Sequence, residues 1–214
     1  MNEQAQLLPR ASVEPLGEAA ALLPGFARAQ ADTLPPLLQT LWRAAPLRHM
    51  STPGGARMSV AMSNCGPFGW VSDRRGYRYE HCDPHSGQPW PPMPPQLREL
   101  AQRAAAALRF VDFEPDACLI NYYAPGTRLT LHQDRDERDL GAPVVSVSCG
   151  LPATFLFGGL RRRDAVRRVP LFHGDVVVWG GAQRLAFHGV APLADGQHPI
   201  AGRCRVNLTF RRAR

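Results

Sequence analysis

Five short apolar runs between residues 117 and 210 constrain the fold of this 214-residue chain more than any other feature. They are rich in β-branched or aromatic residues, and Gly, Pro or Asp separates each from the next. This spacing predicts strands of an all-β sandwich or barrel. The sequence shows no internal repeat and no break that would separate a second domain. The runs are Ala117–Tyr123, Pro143–Ser148, Thr154–Phe157, Asp175–Trp179 and Arg205–Phe210.

The N-terminal half has a different character. Apolar residues at helical spacing predict one helix over Leu34–Met50, with prolines at its start, and a second over Pro95–Leu108. Between them, Ser51–Trp90 is dense in Gly, Pro and Asn, with a short predicted strand at Met58–Met62. Its aromatic residues would either stack on a planar ligand beneath a lid or form a small satellite core. These aromatics are Phe68, Trp70, Tyr77 and Tyr79.

Composition gives a weak indication of the partner and the compartment. The formal net charge is +7, and arginine supplies the positive charge. Such a charge suits a polyanion, although solubility alone would also account for it. The five cysteines include no Cys-x-x-Cys pair, and neither a signal-like segment nor a membrane-length apolar run occurs. A reduced, cytoplasmic protein is therefore expected.

The segment Leu129–Asp134 carries two potential metal ligands, His132 and Asp134, separated by one residue. In an extended chain, residues i and i+2 point to the same side, so both can reach one ion. His188 is the best candidate for a third ligand. Two histidines and one carboxylate form the facial triad of non-heme Fe(II) oxygenases. The alternative is an ordinary hydrogen-bonded pair in a loop.

The C-terminal run alternates polar and apolar residues. Arg205, Asn207, Thr209 and Arg211 share one face, and apolar residues share the other. If the polar face points into the barrel, two buried arginines without carboxylate partners require an anionic ligand, and a dicarboxylate would pair with both. If the face points to solvent, the arginines are surface charges.

Three further features bear on the ligands. Asn121 and Tyr123 share one strand face and offer an amide and a phenol to the same anion, or are ordinary satisfied polar groups. Residues 161–168 form a basic loop suited to phosphate contact, or a solvated surface loop. No Gly-x-Ser-x-Gly elbow, phosphate-binding glycine-lysine loop or zinc-deaminase motif occurs, so those reaction classes lose support.

Several ordered motifs together resemble the AlkB-type Fe(II)- and 2-oxoglutarate-dependent nucleic-acid dealkylases. The similarity runs from about Pro46 to Arg211 and does not include residues 1–45. The chain departs from the family pattern at Tyr122, Arg161 and Arg163. These departures concern the type of nucleic-acid strand that is preferred, and they leave the expected chemistry unchanged. The motifs include Thr52-Pro-Gly-Gly, Asn64-Cys-Gly, Leu131-His-Gln-Asp, His173-Gly-Asp-Val-Val-Val-Trp-Gly-Gly and Asn207-Leu-Thr-Phe-Arg.

The resemblance implies a mainly β fold with flanking helices, built on a double-stranded β-helix (jelly-roll) core. Residues 21–92 would be the N-terminal helix and nucleotide-recognition lid, and 93–214 the core, with lid and core in one structural domain. Residues 1–20 mix Gln, Glu, Ala and Pro without clear periodicity, which indicates a mobile or loosely packed lead-in. The family pattern places Fe(II) on His132, Asp134 and His188, and 2-oxoglutarate on Asn121, Tyr123, Arg205, Asn207 and Arg211. The implied substrate residues are Met62, Trp70, Tyr77, Asp136, Glu137 and Arg162, with Trp70 and His132 sandwiching the flipped base.

The resemblance also implies a reaction. With O2, 2-oxoglutarate would be converted to succinate and CO2, and a methyl group on 1-methyladenine or 3-methylcytosine would leave as formaldehyde. Single-stranded DNA or RNA would be the partner, with no membrane or protein partner and a monomeric chain. Asp136 near the base would favour such cationic lesions. Two alternatives are a hydroxylase of a small molecule or protein that uses the same cofactors, and a non-enzymatic nucleic-acid-binding barrel.

Overall fold

The computed structural model describes residues 13–214, which form thirteen strands and three α-helices. The helices are α1 (Arg28–Asp32), α2 (Leu34–Ala44) and α3 (Pro95–Ala107). The strands are β1 (Glu14–Gly17), β2 (Ala20–Leu23), β3 (Ala61–Cys65), β4 (Gly69–Asp73), β5 (Gly76–Glu80), β6 (Ala117–Tyr123), β7 (Leu129–His132), β8 (Val144–Gly150), β9 (Ala153–Phe157), β10 (Arg167–Leu171), β11 (Val176–Trp179), β12 (His188–Val190) and β13 (Arg205–Arg211). A 3-10 turn, Gly181–Gln183, precedes β12.

Two antiparallel sheets enclose the core and agree with the predicted jelly roll. The larger has the strand order β1-β2-β11-β8-β13-β6-β3, and the smaller has the order β10-β9-β12-β7. Apolar side chains from both sheets, including Leu119, Val177, Phe155 and Val190, form one cluster between them. The predicted mainly β fold class with flanking helices is therefore confirmed.

The helices cover the outer face of the larger sheet. Leu38 of α2 and Leu100 of α3 belong to the same buried cluster as Val206 and Phe210 of β13. Successive residues of a strand point to opposite faces, so the polar residues of β13 are turned toward the smaller sheet. This alternation places a polar stripe, rather than an apolar one, inside the barrel.

The helix α3 matches its prediction to within one residue, whereas α2 is shorter than predicted. It ends at Ala44 instead of Met50, because Ala45 takes an extended conformation with ψ of 89°. Pro46 follows, and a residue before proline is disfavoured in the helical region. Across residues 13–214, no helix combines the length and apolar character that a membrane span requires.

The predicted lid contains a two-stranded hairpin, β4–β5, outside the two main sheets. The strand predicted at Met58–Met62 is wrong in its first half, since β3 begins only at Ala61. The amide of Met58 is instead bonded to the carbonyl of Met50, and the Ser59 hydroxyl to the carbonyl of Arg128. From Ala61 onward, β3 pairs with β6 and becomes the edge of the larger sheet.

The prediction of a loosely packed lead-in over residues 1–20 is wrong where the structure can be compared with it. Residues 1–12 lie outside the described part of the chain. Within the rest, β1 pairs with β2, and β2 pairs along its whole length with β11. All four residues of β2 are buried, because this strand extends the larger sheet beyond β11 and contributes to both core clusters.

Candidate active site

His132, Asp134 and His188 converge on one point, as the sequence predicted. One ligand atom from each lies within 4.8 Å of those of the other two. The two histidines are direct partners across the β7–β12 ladder, with ring centroids 4.4 Å apart. Asp134 lies between them, with Oδ1 3.8 Å from His132 Nε2 and Oδ2 3.7 Å from His188 Nε2. This is the donor set of a two-histidine, one-carboxylate metal centre.

Both imidazoles are oriented in the same way by the backbone. The Nδ1 atom of each ring lies within hydrogen-bond distance of the carbonyl oxygen two residues earlier, at 2.8 Å for Thr130 and 3.0 Å for Ala186. A carbonyl can only accept, so Nδ1 carries the proton in each case. Nε2 is then the lone-pair nitrogen, and in both rings it faces the carboxylate of Asp134.

The electrostatics favour the protonation states that a divalent ion needs. Burial alone would raise the pKa of Asp134, but the guanidinium of Arg211, assisted by the two histidines, holds it well below its usual range. Burial, followed by repulsion from His132, lowers the pKa of His188 to about 4. Near neutral pH the site therefore offers an ionised carboxylate and a neutral imidazole, and no proton has to be displaced from either.

Asp134 reaches the site from outside the strand, which differs from the prediction of a continuous extended segment. Strand β7 ends at His132, and the next residues are held by side chains. Gln133 Nε2 donates to the Leu185 carbonyl at 2.6 Å, and Arg184 Nη1 donates to the Asp134 carbonyl at 2.7 Å. These bonds anchor the segment against the residues that lead into His188.

Arg205 is buried, and among the described residues only one nitrogen of its guanidinium has a hydrogen-bond partner. Its Nη2 donates to Ser148 Oγ at 2.8 Å, and the group lies 4.9 Å from the ring centroid of Tyr123. Within residues 13–214, neither Nε nor Nη1 meets a hydrogen-bond acceptor. Burial lowers the pKa of Arg205, and a guanidinium stays protonated in proteins. Two unsatisfied donors on a buried cation fit a carboxylate-bearing ligand.

Arg211 differs from the prediction of an arginine without carboxylate partners. Its Nε and Nη2 atoms lie 2.8 and 2.7 Å from Asp134 Oδ2, and Nε lies 3.4 Å from Glu137. Burial opposes the charge, but Asp134 outweighs it and raises the pKa of Arg211. The expectation that Arg211 lacks a carboxylate partner is therefore wrong, because Asp134, beyond the end of β7, approaches the last residue of β13. The contact of Arg211 with the dicarboxylate stays a prediction.

The side-chain amides of Asn207 and Asn121 differ in their hydrogen bonding. Asn207 Nδ2 donates to Ser146 Oγ and to the Val147 carbonyl. Asn121 Nδ2 donates to Asn207 Oδ1 at 3.2 Å, while Asn121 Oδ1 has no partner among the residues that the structure describes. The buried Tyr123 lies opposite Arg205 in the β6–β13 ladder. All of these side chains line the same cavity.

That cavity has a volume of about 400 Å³ and joins the metal ligands to the lid. It lies within the usual size range of small-molecule sites. The candidate metal ligands line it, together with every residue predicted to bind the dicarboxylate. Five of the six predicted substrate residues also line it: Met62, Trp70, Tyr77, Asp136 and Arg162.

The aromatic residues of the lid serve both of the roles considered from the sequence. Trp70 and Tyr77 line the cavity mouth and stack with ring centroids 5.6 Å apart and planes 14° apart. Trp70 Nε1 also donates to Asp136 Oδ2 at 2.9 Å. Tyr79 is buried in a satellite cluster against which Phe68 packs. The hairpin therefore presents two rings to a ligand and uses the other two for packing.

Arg162 lies at the rim of the cavity and contacts the strand that carries His132. Its Nη1 donates to the Leu131 carbonyl at 2.7 Å, and its guanidinium lies 4.9 Å from the ring centroid of Phe187. Tyr122, one of the departures from the family pattern, lies elsewhere. It packs edge-to-face against Trp42 on the helix-covered side of the sheet, so it does not contact a ligand in the cavity.

Glu137 is the predicted substrate residue that the structure does not place in the cavity. It is buried behind the cavity wall, where it accepts a 2.5 Å hydrogen bond from Tyr79 and a 3.1 Å bond from Arg184. Arg184 is a further residue of this network that was not predicted from the sequence. An arginine four residues before a candidate ligand gives no local signal, because its three acceptors come from a distant segment of the chain.

Comparisons with known proteins agree with this geometry. The family model described as "2OG-Fe(II) oxygenase superfamily" matches residues 19–211. The chain is similar to "Alpha-ketoglutarate-dependent dioxygenase AlkB" of Escherichia coli, with 55% identity over 94% of the chain and 93% of that protein. It is 37% identical to human "Nucleic acid dioxygenase ALKBH1" over 56% of the chain and 31% of that protein. The solved structure of OsALKBH1 superposes with a TM-score of 0.80 at 28% identity, covering 94% of the chain and 99% of that structure.

Proposed function

The chain belongs to the 2OG-Fe(II) oxygenase superfamily, within the AlkB-type dioxygenases, and on that premise we propose that it demethylates N-alkylated bases in nucleic acid. Its cofactors are Fe(II), 2-oxoglutarate and O2. The proposed substrates are 1-methyladenine and 3-methylcytosine in single-stranded DNA or RNA, and the proposed role is repair of alkylation damage by direct reversal. The main support for this proposal is a single cavity. It is lined by three candidate metal ligands, by an arginine with unsatisfied donors and by a pair of stacked aromatic rings.

We assign Fe(II) to His132, Asp134 and His188. Two lone-pair nitrogens and an ionised carboxylate suit this ion, and this donor set is the one that non-heme Fe(II) oxygenases use. When bound, iron and 2-oxoglutarate supply the oxidising chemistry, in which the cosubstrate becomes succinate and CO2 and the substrate methyl carbon is hydroxylated. The resulting N-hydroxymethyl group is released as formaldehyde, which restores the unmodified base.

The carboxylates of 2-oxoglutarate are assigned to Arg205 and Arg211. Arg205 brings two donors without acceptors, which a carboxylate would satisfy while neutralising a buried charge. Tyr123 and the open amide of Asn121 lie on the adjoining strand, and Asn207 holds that amide in position. These groups would hold the cosubstrate at the buried end of the cavity.

The methylated base is assigned to the mouth of the cavity, between Trp70 and His132, with Tyr77, Met62 and Arg162 around it. These lesions cannot form normal base pairs, so flipping them out of a stack costs less free energy than flipping an intact base. Both lesions are cationic, so the Asp136 carboxylate would stabilise them over neutral adducts. Asp136→Asn should reduce the preference for 3-methylcytosine over neutral 3-methylthymine in competition assays, and an unchanged preference would rule out this role.

Mass spectrometry of an oligonucleotide with one 3-methylcytosine, after incubation with iron, 2-oxoglutarate and O2, tests the reaction. The expected result is loss of one CH2 from the oligonucleotide, with one succinate and one formaldehyde formed for each base repaired. Succinate formation with an unchanged oligonucleotide would indicate a hydroxylase of another substrate. Binding without succinate formation would leave only a nucleic-acid-binding barrel. Matched DNA and RNA oligonucleotides, single-stranded and duplex, would rank the substrates, and size-exclusion chromatography tests the expected monomer.

A further inference from the structure

The buried carboxylate of Glu137 contacts three groups that belong to different parts of the site. Its Oε1 accepts the Tyr79 hydroxyl at 2.5 Å, and Oε2 accepts Arg184 Nη2 at 3.1 Å. Oε1 also lies 3.4 Å from Nε of Arg211, the arginine assigned to the cosubstrate. A buried carboxylate with this many partners fixes them all, because each would otherwise lose a charged or charge-assisted contact.

The Arg184 side of this network reaches the candidate iron ligands. Besides Glu137, Arg184 donates to the carbonyls of Asp134 and Ala142, at 2.7 and 2.8 Å. It therefore anchors both ends of the segment that carries Asp134, and it lies only four residues before His188. The orientation of Asp134 depends on Arg184, and the buried charge of Arg184 depends on Glu137.

The Tyr79 side of the network reaches the base site. Tyr79 is the direct cross-strand partner of Trp70 in the β4–β5 hairpin, and it is 96% buried. The Tyr79 hydroxyl connects strand β5 to Glu137, and the Trp70 indole connects strand β4 to Asp136. The two acceptors are consecutive residues, so the hairpin and the segment after Asp134 are held together at two adjacent points.

The charges of the network are balanced. Asp134 and Glu137 are two carboxylates facing two guanidiniums, those of Arg184 and Arg211. Both donors of Arg211 meet Oδ2 of Asp134, while Oδ1 is turned toward His132. Loss of the charge on Glu137 would give the network a net positive charge beside a cation site. Arg211 would then have Asp134 as its remaining carboxylate partner, in competition with iron.

From these contacts we propose that Glu137 is a positioning residue that couples the base-binding hairpin to the iron and 2-oxoglutarate site. This inference rests on the proposed function. Through Tyr79, Glu137 holds the hairpin that carries Trp70 against the cavity. Through Arg184 and Arg211, it orients Asp134 and keeps an oxygen of that carboxylate available to iron. It replaces the prediction that Glu137 contacts the substrate.

A double-mutant cycle of Tyr79→Phe and Glu137→Gln tests the coupling. Glu137→Gln should weaken Fe(II) binding by about 10- to 100-fold, the usual effect of losing an outer partner of a metal ligand. Tyr79→Phe should leave Fe(II) binding unchanged and raise KM for a 3-methylcytosine oligonucleotide by about tenfold, roughly the worth of one hydrogen bond to a charged group. The double variant should show no rise in KM beyond that of Glu137→Gln, because both changes act on the same hydrogen bond.

Iron binding is measured anaerobically, from the charge-transfer absorption of the Fe(II)–2-oxoglutarate complex. Amide hydrogen exchange in the metal-free protein gives a readout independent of activity, and residues 69–80 should exchange faster in both single variants. Glu114→Gln is the matched control, since among residues 13–214 this exposed carboxylate pairs only with Gln102 and Arg98. It should behave as the wild type in every assay.

The failure of this inference is distinguishable from the failure of the proposed function. A wild-type protein without the absorption band or demethylation would remove the proposed function itself. If the wild type has both, an unchanged iron affinity in Glu137→Gln would overturn the coupling. Multiplicative effects on KM in the double variant would also overturn it. A third result would also overturn the coupling: Glu137→Gln lowers thermal stability but leaves amide hydrogen exchange in residues 69–80 unchanged. Glu137 would then have a purely structural role.

Discussion

His132 and His188 face each other as a register pair of the β7–β12 ladder, with ring centroids 4.4 Å apart. The distance between the two candidate iron ligands is therefore set by strand pairing. Successive side chains of a strand alternate between its faces, so a one-residue slip would turn one imidazole away from the other. The same backbone hydrogen bonds that pair these core strands therefore position the two candidate histidine ligands.

Arg205→Met should separate ligand binding from stability. The change removes a buried cation with two unsatisfied donors, so the ligand-free protein should be more stable by about 1–3 kcal/mol in urea unfolding. The same change should raise KM for 2-oxoglutarate by about 100-fold, since a buried charge pair is lost. Arg203→Met is the control, because in the described part of the chain that exposed arginine pairs only with Asp195. Both quantities should stay at wild-type values. A destabilised Arg205→Met with normal KM would contradict the assignment.

Trp70→Ala should weaken the binding of the alkylated base without affecting the cosubstrate. Stacking of one base on an aromatic ring is worth about 1–3 kcal/mol, so KM for the oligonucleotide should rise by roughly 5- to 150-fold. Succinate formation in the absence of oligonucleotide should not change. Trp70→Phe retains a ring and should recover most of the affinity. Equal losses in the alanine and phenylalanine variants would argue against stacking.

Arg162→Ala should change the salt dependence of binding. If Arg162 contacts a backbone phosphate, its removal should make the slope of log affinity against log salt concentration shallower by about 0.7 for single-stranded DNA. Fluorescence anisotropy over a range of salt concentrations measures this slope. Arg43→Ala, an exposed arginine on α2, is the control and should leave the slope unchanged. An unaltered slope in Arg162→Ala would remove the phosphate contact.

His173 should make stability fall in mild acid. Its Nδ1 accepts the Gly150 amide at 2.9 Å, and burial lowers its pKa despite Asp32 3.0 Å from Nε2. The unfolded chain then takes up a proton more readily than the folded one, so the free energy of unfolding should decrease as the pH falls below about 6.5. Urea unfolding of the metal-free protein should show a weaker pH dependence in His173→Gln. Equal slopes in the two proteins would contradict this contribution.

The strands of the core were predictable because their residue patterns are local. Ala117–Tyr123 and the strand β13 follow directly from apolar periodicity, and the polar face of β13 follows from alternation. The strand β2 was missed because Ala20–Leu23 is short and its place in the core depends on pairing with the distant strand β11. The end of α2 could have been placed from Pro46, whose effect on the preceding residue is a purely local property.

The site was predictable where family motifs and strand alternation carry the information, as for His132, Asp134 and Arg205. It was not predictable where partners come together only through the tertiary fold. Tyr79 and Tyr77 have the same spacing signal, yet only Tyr79 is covered by Ala117 and the C-terminal Ala213. The ion pairs of Arg211 and Glu137 depend in the same way on segments that are distant in sequence.

Anaerobic titration of the metal-free protein with Fe(II) and 2-oxoglutarate tests the central claim most directly. The wild type should develop the visible charge-transfer band of the chelate. His188→Ala should develop none, whereas His85→Ala, which changes an exposed histidine, should match the wild type. No band in the wild type, or an undiminished band in His188→Ala, would contradict an iron centre at His132, Asp134 and His188.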